Sequence, residues 1–172
     1  LFNHESPLRG QHFVTQKIIN GLVKKVFLNQ SFTLKLGNIY SVRDWGHARD
    51  YVKAMNLMLD QEDPEDLVIG TGVAASVKEF CELVSSKLDV KKFEWRGEGI
   101  NEKLFWLDLG VDNAAIAIDP LYFRPLEVNH LDASPENAMK KLSWKPECDL
   151  ETLVDEMVEE AKYKYEHIQT TL

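Results

Sequence analysis

Apolar positions recur at helical spacing in "HFVTQKIINGLVKKVFLNQ". Phe13, Val14, Ile18, Leu22 and Val26 form a stripe, with Lys17, Lys24 and Lys25 between them. That pattern predicts an amphipathic helix. "SFTLKLGN" then alternates apolar and polar residues and ends at Gly37-Asn38, a strand closed by a turn. A second helix is expected after Asp44, because Trp45, Ala48, Val52, Met55 and Leu59 step by three and four until "DQEDPED" stops them. The short apolar run Leu67–Thr71, bounded by glycines, predicts a fully buried strand. "SVKEF" opens a third helix with a capping box between Ser76 and Glu79, and with Val77, Phe80, Cys81, Val84 and Leu88 facing the core.

Further along, "KFEWRG" and "AAIAIDP" predict two strands, separated by a loop from Gly97 to about Asp112. "SPENAMKKL" predicts a helix with Ser134 as N-cap and Pro135 at its first position. A last helix from Asp149 uses Leu150, Leu153, Met157, Ala161 and Tyr165. The opening "LFNHESPLRG" reads as the end of a buried strand turning into a polar loop. Strands and helices alternate without an internal repeat or a low-complexity linker, so the expected class is α/β, in one domain over residues 1–172. A strand buried on both faces needs parallel neighbours on each side, and the chain offers few for Leu67–Thr71. Most of a sheet is therefore expected to be missing.

Composition narrows the function classes. With 44% hydrophobic and 28% charged residues the chain is an ordinary globular sequence, and no apolar run reaches the roughly 20 residues of a bilayer span. A net charge of −8 argues against a nucleic-acid partner. It also means that an anionic ligand must be held by a few placed cations. The two cysteines, Cys81 and Cys148, form no metal-binding pair; Cys81 is expected in the core, and a reducing cytoplasm fits their scarcity.

Four stretches, "LFNHESPLRG", "GNIYSVRDWGHARDYVKAM", "FRPLEV" and "AMKKLSWKP", together resemble the C-terminal half of the GDP-mannose 4,6-dehydratases, a family of extended short-chain dehydrogenase/reductases. The resemblance runs from about Leu1 to Met157. It implies the substrate-binding part of a lyase that converts GDP-mannose to GDP-4-keto-6-deoxymannose on the way to GDP-fucose. A tightly held NADP in that family takes a hydride from C4 of the sugar and returns it to C6. The family fold is a Rossmann domain followed by a smaller substrate domain, and a cytoplasmic homo-oligomer is expected of the full-length protein. The family's glycine-rich dinucleotide loop is not in this sequence, nor is its catalytic Thr/Ser and Glu. No tyrosine here has a lysine four residues on. In the family that Tyr-x-x-x-Lys pair precedes the "FNHESP" strand, so it is expected upstream of Leu1, and no catalytic residue is assigned in this half.

Position by position, the resemblance implies that Arg43 and Arg124 contact the diphosphate and that Glu127 reads a ribose hydroxyl. Asn3 matches a ligand to a phosphate or sugar oxygen, and Val14 and Lys17 lie near the guanine ring. His4 and Arg9 reach the cofactor, although Leu8 stands where the family often has a second arginine. Each position has a plainer alternative. Arg43 and Arg124 each have an acid close in sequence, Asp44 and Glu127, with which a salt bridge is possible. Glu127 is also placed to orient Arg124, Lys17 to sit solvated on its helix, and His4 to be a satisfied loop histidine. His47 and Asp50 are expected to be structural, and Trp45, Met55 and Trp144 to lie in the core. Two other readings stay open: a nucleoside-diphosphate-sugar epimerase or reductase of the same superfamily, and a non-catalytic nucleotide-sugar binding domain. "FNHESP" argues against the first, because epimerases usually follow that Asn with Tyr-Gly-Pro.

Overall fold

A computed structural model describes residues 1–27, 32–109, 113–123 and 126–169. Among these residues are eight strands and five helices. They are β1 (Asn3–Glu5), α1 (Val14–Phe27), β2 (Leu34–Leu36), β3 (Val42–His47), α2 (Ala48–Leu59), β4 (Ala74–Ser76), α3 (Val77–Lys87), β5 (Phe93–Arg96), β6 (Lys103–Trp106), β7 (Ile116–Ile118), β8 (His130–Leu131), α4 (Glu136–Leu142) and α5 (Leu150–Gln169). Single 3-10 turns lie at Gly99–Asn101 and Pro120–Tyr122.

The strands form two small mixed sheets. In the first, β3 pairs parallel with β1 and β8 and antiparallel with β4. In the second, the order is β2-β7-β6-β5, with β2 and β7 parallel and the rest antiparallel. Helices α1, α3 and α5 pack on one another and carry most of the core. The stripes of α1 and α5 close together through Ile18, Ile19, Leu22 and Val23 on one side and Leu153, Met157 and Ala161 on the other. A second cluster joins α2 to α4 through Tyr51, Ala54, Ile69, Ala138, Leu142 and Trp144.

Helix α3 has the expected capping box. Ser76 accepts from the Glu79 amide, while the Glu79 carboxylate accepts from the Ser76 amide. Its five predicted core residues are all buried, Cys81 completely. Strands β2, β5 and β7 and helices α1 and α5 lie where the patterning puts them.

Several expectations are corrected. Strand β3 runs on to His47, so Trp45 belongs to a strand, and α2 starts only at Ala48. The His47 ring accepts from the Arg49 amide and fixes that start. The expected α2 stripe of Val52, Met55 and Leu59 faces outward; Tyr51 and Ala54 face in. Apolar residues lie on both sides of this helix, and the docking of Tyr51 decides which side is buried. Leu67–Thr71 is not a strand. One backbone bond, from the Phe2 amide to the Ile69 carbonyl, ties it to the sheet, and Val68 is half-exposed. The Thr71 and Gly72 amides go instead to the Asp44 carboxylate. The expected loop from Gly97 contains strand β6, whose Leu104 and Trp106 are buried alternately with Lys103 and Phe105. The cap of α4 is Pro135, one residue beyond the expected Ser134, whose hydroxyl donates to the Glu136 carboxylate.

Candidate functional site

Strands β1 and β3 lie in parallel register, Asn3 beside Trp45 and Glu5 beside His47. Alternate strand side chains point to opposite faces. On one face Asp44 and Gly46 meet Tyr51 and Thr71; a Cβ on Gly46 would lie 2.4 Å from the Tyr51 ring. On the other face Asn3 and Arg43 open into a cavity of about 450 Å³.

That cavity gathers six of the eight predicted site residues: Asn3, Arg9, Val14, Lys17, Arg43 and Glu127. They come from β1, the loop behind it, the first turn of α1, strand β3 and the segment before β8. His4 lies on the opposite strand face, with its ring 5.3 Å from that of Tyr51 and its Nδ1 3.0 Å from the Phe2 carbonyl oxygen. It is not brought into the cavity. Arg124 falls outside the described residues.

Three cations stand in the wall, and each is placed by a neighbour. The Arg43 Nη2 lies 3.5 Å from Glu127, and its Nη1 donates to the Val42 carbonyl. Asp44, the acid beside it in sequence, does not hold it, being wholly buried and engaged by Thr71 and Gly72; the partner is Glu127, expected beside Arg124. The Arg9 guanidinium stacks 3.4 Å above the Phe13 ring, and its Nε is 3.1 Å from Glu5. Glu5 is buried and accepts from the Thr15 hydroxyl at 2.7 Å; burial nevertheless pushes its carboxyl above the ordinary range. The Lys17 ammonium sits 3.8 Å from the centre of the Tyr122 ring, and partial burial pulls its pKa down, opposed by Asp119. Among the described residues, Glu127 supplies the carboxylate in the lining. An acidic protein thus carries a locally cationic, donor-rich cleft, the condition set above for an anionic ligand.

Ser41, Trp45, Asn38, His12 and Tyr122 also line the cleft and were not singled out as ligands from the sequence. Tyr122 is fixed by the 3-10 turn at Pro120–Tyr122, which Asp119 caps. The turn presses on Gly37, where a Cβ would meet the Tyr122 carbonyl oxygen at 2.4 Å. Two further clefts, of about 490 and 410 Å³, contain none of the predicted residues. The larger is rimmed by Asp60, Glu62, Asp63 and Glu65, a poor setting for an anion.

His47 and Asp50 serve the scaffold, as expected. His47 Nε2 lies 3.1 Å from Glu156, and an Asp50 oxygen accepts from the Glu147 and Cys148 amides. Trp144 is in the core and donates to the Asp50 carbonyl. Met55 is not in the core.

The fold is shared with sugar-nucleotide dehydratases and epimerases. It resembles RMD from Pseudomonas aeruginosa complexed with NADPH (TM-score 0.73, 17% identity, covering 94% of this chain and 46% of that one). A UDP-glucose 4-epimerase with UDP-glucose from Thermotoga maritima gives a TM-score of 0.69 at 20% identity, over 95% of this chain and 44% of that one. Sequence relatives are more specific. The chain is 43% identical to a GDP-mannose 4,6-dehydratase of Vibrio cholerae, 46% to a human GDP-mannose 4,6 dehydratase and 47% to one of Dictyostelium discoideum, each over 92% of its length. It spans only 44%, 41% and 43% of those proteins. The profile of the GDP-mannose 4,6 dehydratase family matches residues 1–157, and the chain belongs to that family.

Proposed function

We propose that residues 1–172 form a substrate-binding unit for GDP-mannose, the part of a 4,6-dehydratase that holds the nucleotide sugar while hydride transfer is carried out elsewhere on the full-length protein. The observation that carries this reading is the convergence of Asn3, Arg9, Val14, Lys17, Arg43 and Glu127 on one cleft. Arg43 is its centre. A planar guanidinium held by Glu127 and its own backbone is oriented before a ligand arrives, and two parallel N–H donors suit a pair of phosphate oxygens. Asn3, level with Trp45 in the strand register, supplies an amide donor to a phosphate or sugar oxygen. Lys17, with Val14 one turn earlier, offers a donor to the carbonyl edge of guanine. Glu127 is placed both to hold Arg43 and to accept from a ribose hydroxyl. Arg124 belongs to the proposed diphosphate contacts by the family match alone.

The family reaction needs a nicotinamide dinucleotide, proposed here as NADP, which supplies the hydride transfer when bound. Arg9 fits a role beside it, since its guanidinium lines the cleft and its Nε has no aligned hydrogen bond among the described residues. His4 faces Tyr51, and its proposed cofactor contact lies on that other side of β1. Cytoplasmic location, homo-oligomeric assembly of the full-length protein and a place in GDP-fucose formation belong to the same proposal. Among the described residues no helix is long and apolar enough to cross a membrane.

Calorimetric titration with GDP-mannose and with UDP-glucose tests the reading. Saturable binding of GDP-mannose, with UDP-glucose weaker, is the expected result. Equal affinity for the two would remove the guanine assignment, and binding of neither would remove the site.

A further inference from the structure

Strand β3 contributes more to the cleft than Arg43. Ser41, immediately before the strand, and Trp45 share the odd-numbered face with Arg43, and all three line the cavity. Both new residues are 2% exposed, and both carry a polar atom without a partner among the described residues: Ser41 Oγ and Trp45 Nε1. The rest of each residue is well fixed. The Ser41 carbonyl accepts from the Val77 amide at 3.0 Å, and the Trp45 ring packs against Phe80 at 5.1 Å between centroids. The Ser41 hydroxyl and the Trp45 indole N–H are left over among the described residues. Buried polar groups are nearly always hydrogen-bonded, so two orphans on one strand face at one cleft call for an explanation. An indole N–H can only donate, so what completes it is an acceptor.

We infer that Ser41 and Trp45 are substrate-binding residues, whose hydroxyl and indole N–H donate to oxygen atoms of the nucleoside-diphosphate sugar on either side of Arg43. The inference rests on the binding reading above and adds two contacts to it. At about 3.3 Å per residue the row from Ser41 to Trp45 extends roughly 13 Å, which suits an extended ligand better than a single phosphate. The accepting atoms are phosphate oxygens or sugar hydroxyl oxygens.

Two variants test this. Ser41→Ala removes only the hydroxyl, and benzothienylalanine in place of Trp45 keeps the ring system but lacks the N–H. Each is measured for thermal midpoint without ligand and for affinity toward GDP-mannose, GDP and inorganic pyrophosphate. The expected pattern is an unliganded midpoint equal to or above wild type, because an unpaired polar atom has been removed, together with about tenfold weaker GDP-mannose binding. A parallel loss with pyrophosphate identifies phosphate oxygens as the acceptors; a loss confined to GDP-mannose identifies sugar oxygens. A lowered midpoint with unchanged affinity would assign the groups to the scaffold, and unchanged affinity alone would also overturn the inference. If wild type binds none of the three ligands, the underlying site assignment fails instead. Should the Trp45 replacement not fold, Ser41→Ala decides the matter.

Discussion

The Arg43 guanidinium lies 3.5 Å from the Glu127 carboxylate, joining strand β3 to the segment ahead of β8 in the wall of the cleft. Both side chains are about four-fifths buried, at 16% and 20% exposure, so the pair is less screened than a surface ion pair. It sets the direction in which the arginine donates. Alanine substitutions at the two positions, combined in a double-mutant cycle on GDP affinity, are expected to be non-additive by about 1 kcal/mol. Additive losses would make Glu127 an independent ribose contact that does not act through Arg43.

Asp44, the next residue, does the opposite job. It is fully buried, and its oxygens accept from the Thr71 amide and hydroxyl and from the Gly72 amide at 2.7–3.0 Å. Asp44→Ala strands the Thr71 and Gly72 amides, while the Thr71 hydroxyl keeps the Val73 carbonyl as an acceptor, and is expected to cost about 3 kcal/mol in chemical denaturation. Asp44→Asn keeps one acceptor oxygen and is expected to cost less. Equal stability of Asp44→Ala and wild type would show that the Gly70–Gly72 loop is held by other contacts.

Burial of Glu5 sets the sign of its contribution to the pH dependence of stability. Burial raises its carboxyl pKa above the 4.5 of an exposed glutamate, although Thr15 and Arg9 oppose the shift. The folded protein therefore binds that proton more tightly than the unfolded chain, so stability falls as pH rises from about 4.5 through the raised folded value, and then levels off. Thermal midpoints collected across that interval check it: Glu5→Gln is expected to flatten the fall. An identical slope in the variant would assign the dependence to other groups.

Much of this architecture is legible in the chain because local and tertiary signals agree. The Ser76–Glu79 capping box and the stripe behind it specify α3 without outside help. The α1 and α5 stripes are equally clear, since each has one apolar face. Helix α2 is not, because Val52, Met55 and Leu59 mark one face as apolar while Tyr51 and Ala54 mark the face that is buried. Strand β6 is short and follows glycines, so its Leu104–Trp106 alternation is easily absorbed into a loop. Leu67–Thr71 has strand composition but lacks neighbours on both sides, and its amides turn to Asp44.

The same distinction governs the site. Asn3, Arg9, Arg43 and Glu127 lie in the family-specific stretches, while Val14 and Lys17 lie outside them. Ser41 and Trp45 are hidden as long as Trp45 is counted as the first turn of a helix, because helical spacing separates positions 41, 43 and 45. Strand spacing puts all three on one face. Tyr122 depends on the turn beside Gly37, a backbone approach that leaves no periodic trace.

The central claim is that a few placed cations, Arg43 foremost, hold a nucleotide sugar's diphosphate on an otherwise acidic protein. Isothermal titration of GDP-mannose into wild type and Arg43→Ala tests it most directly. The account predicts a loss of about 1.5–3 kcal/mol, the scale of a charge-assisted hydrogen bond, or roughly ten- to a hundredfold in Kd. An unchanged Kd in the variant would contradict it.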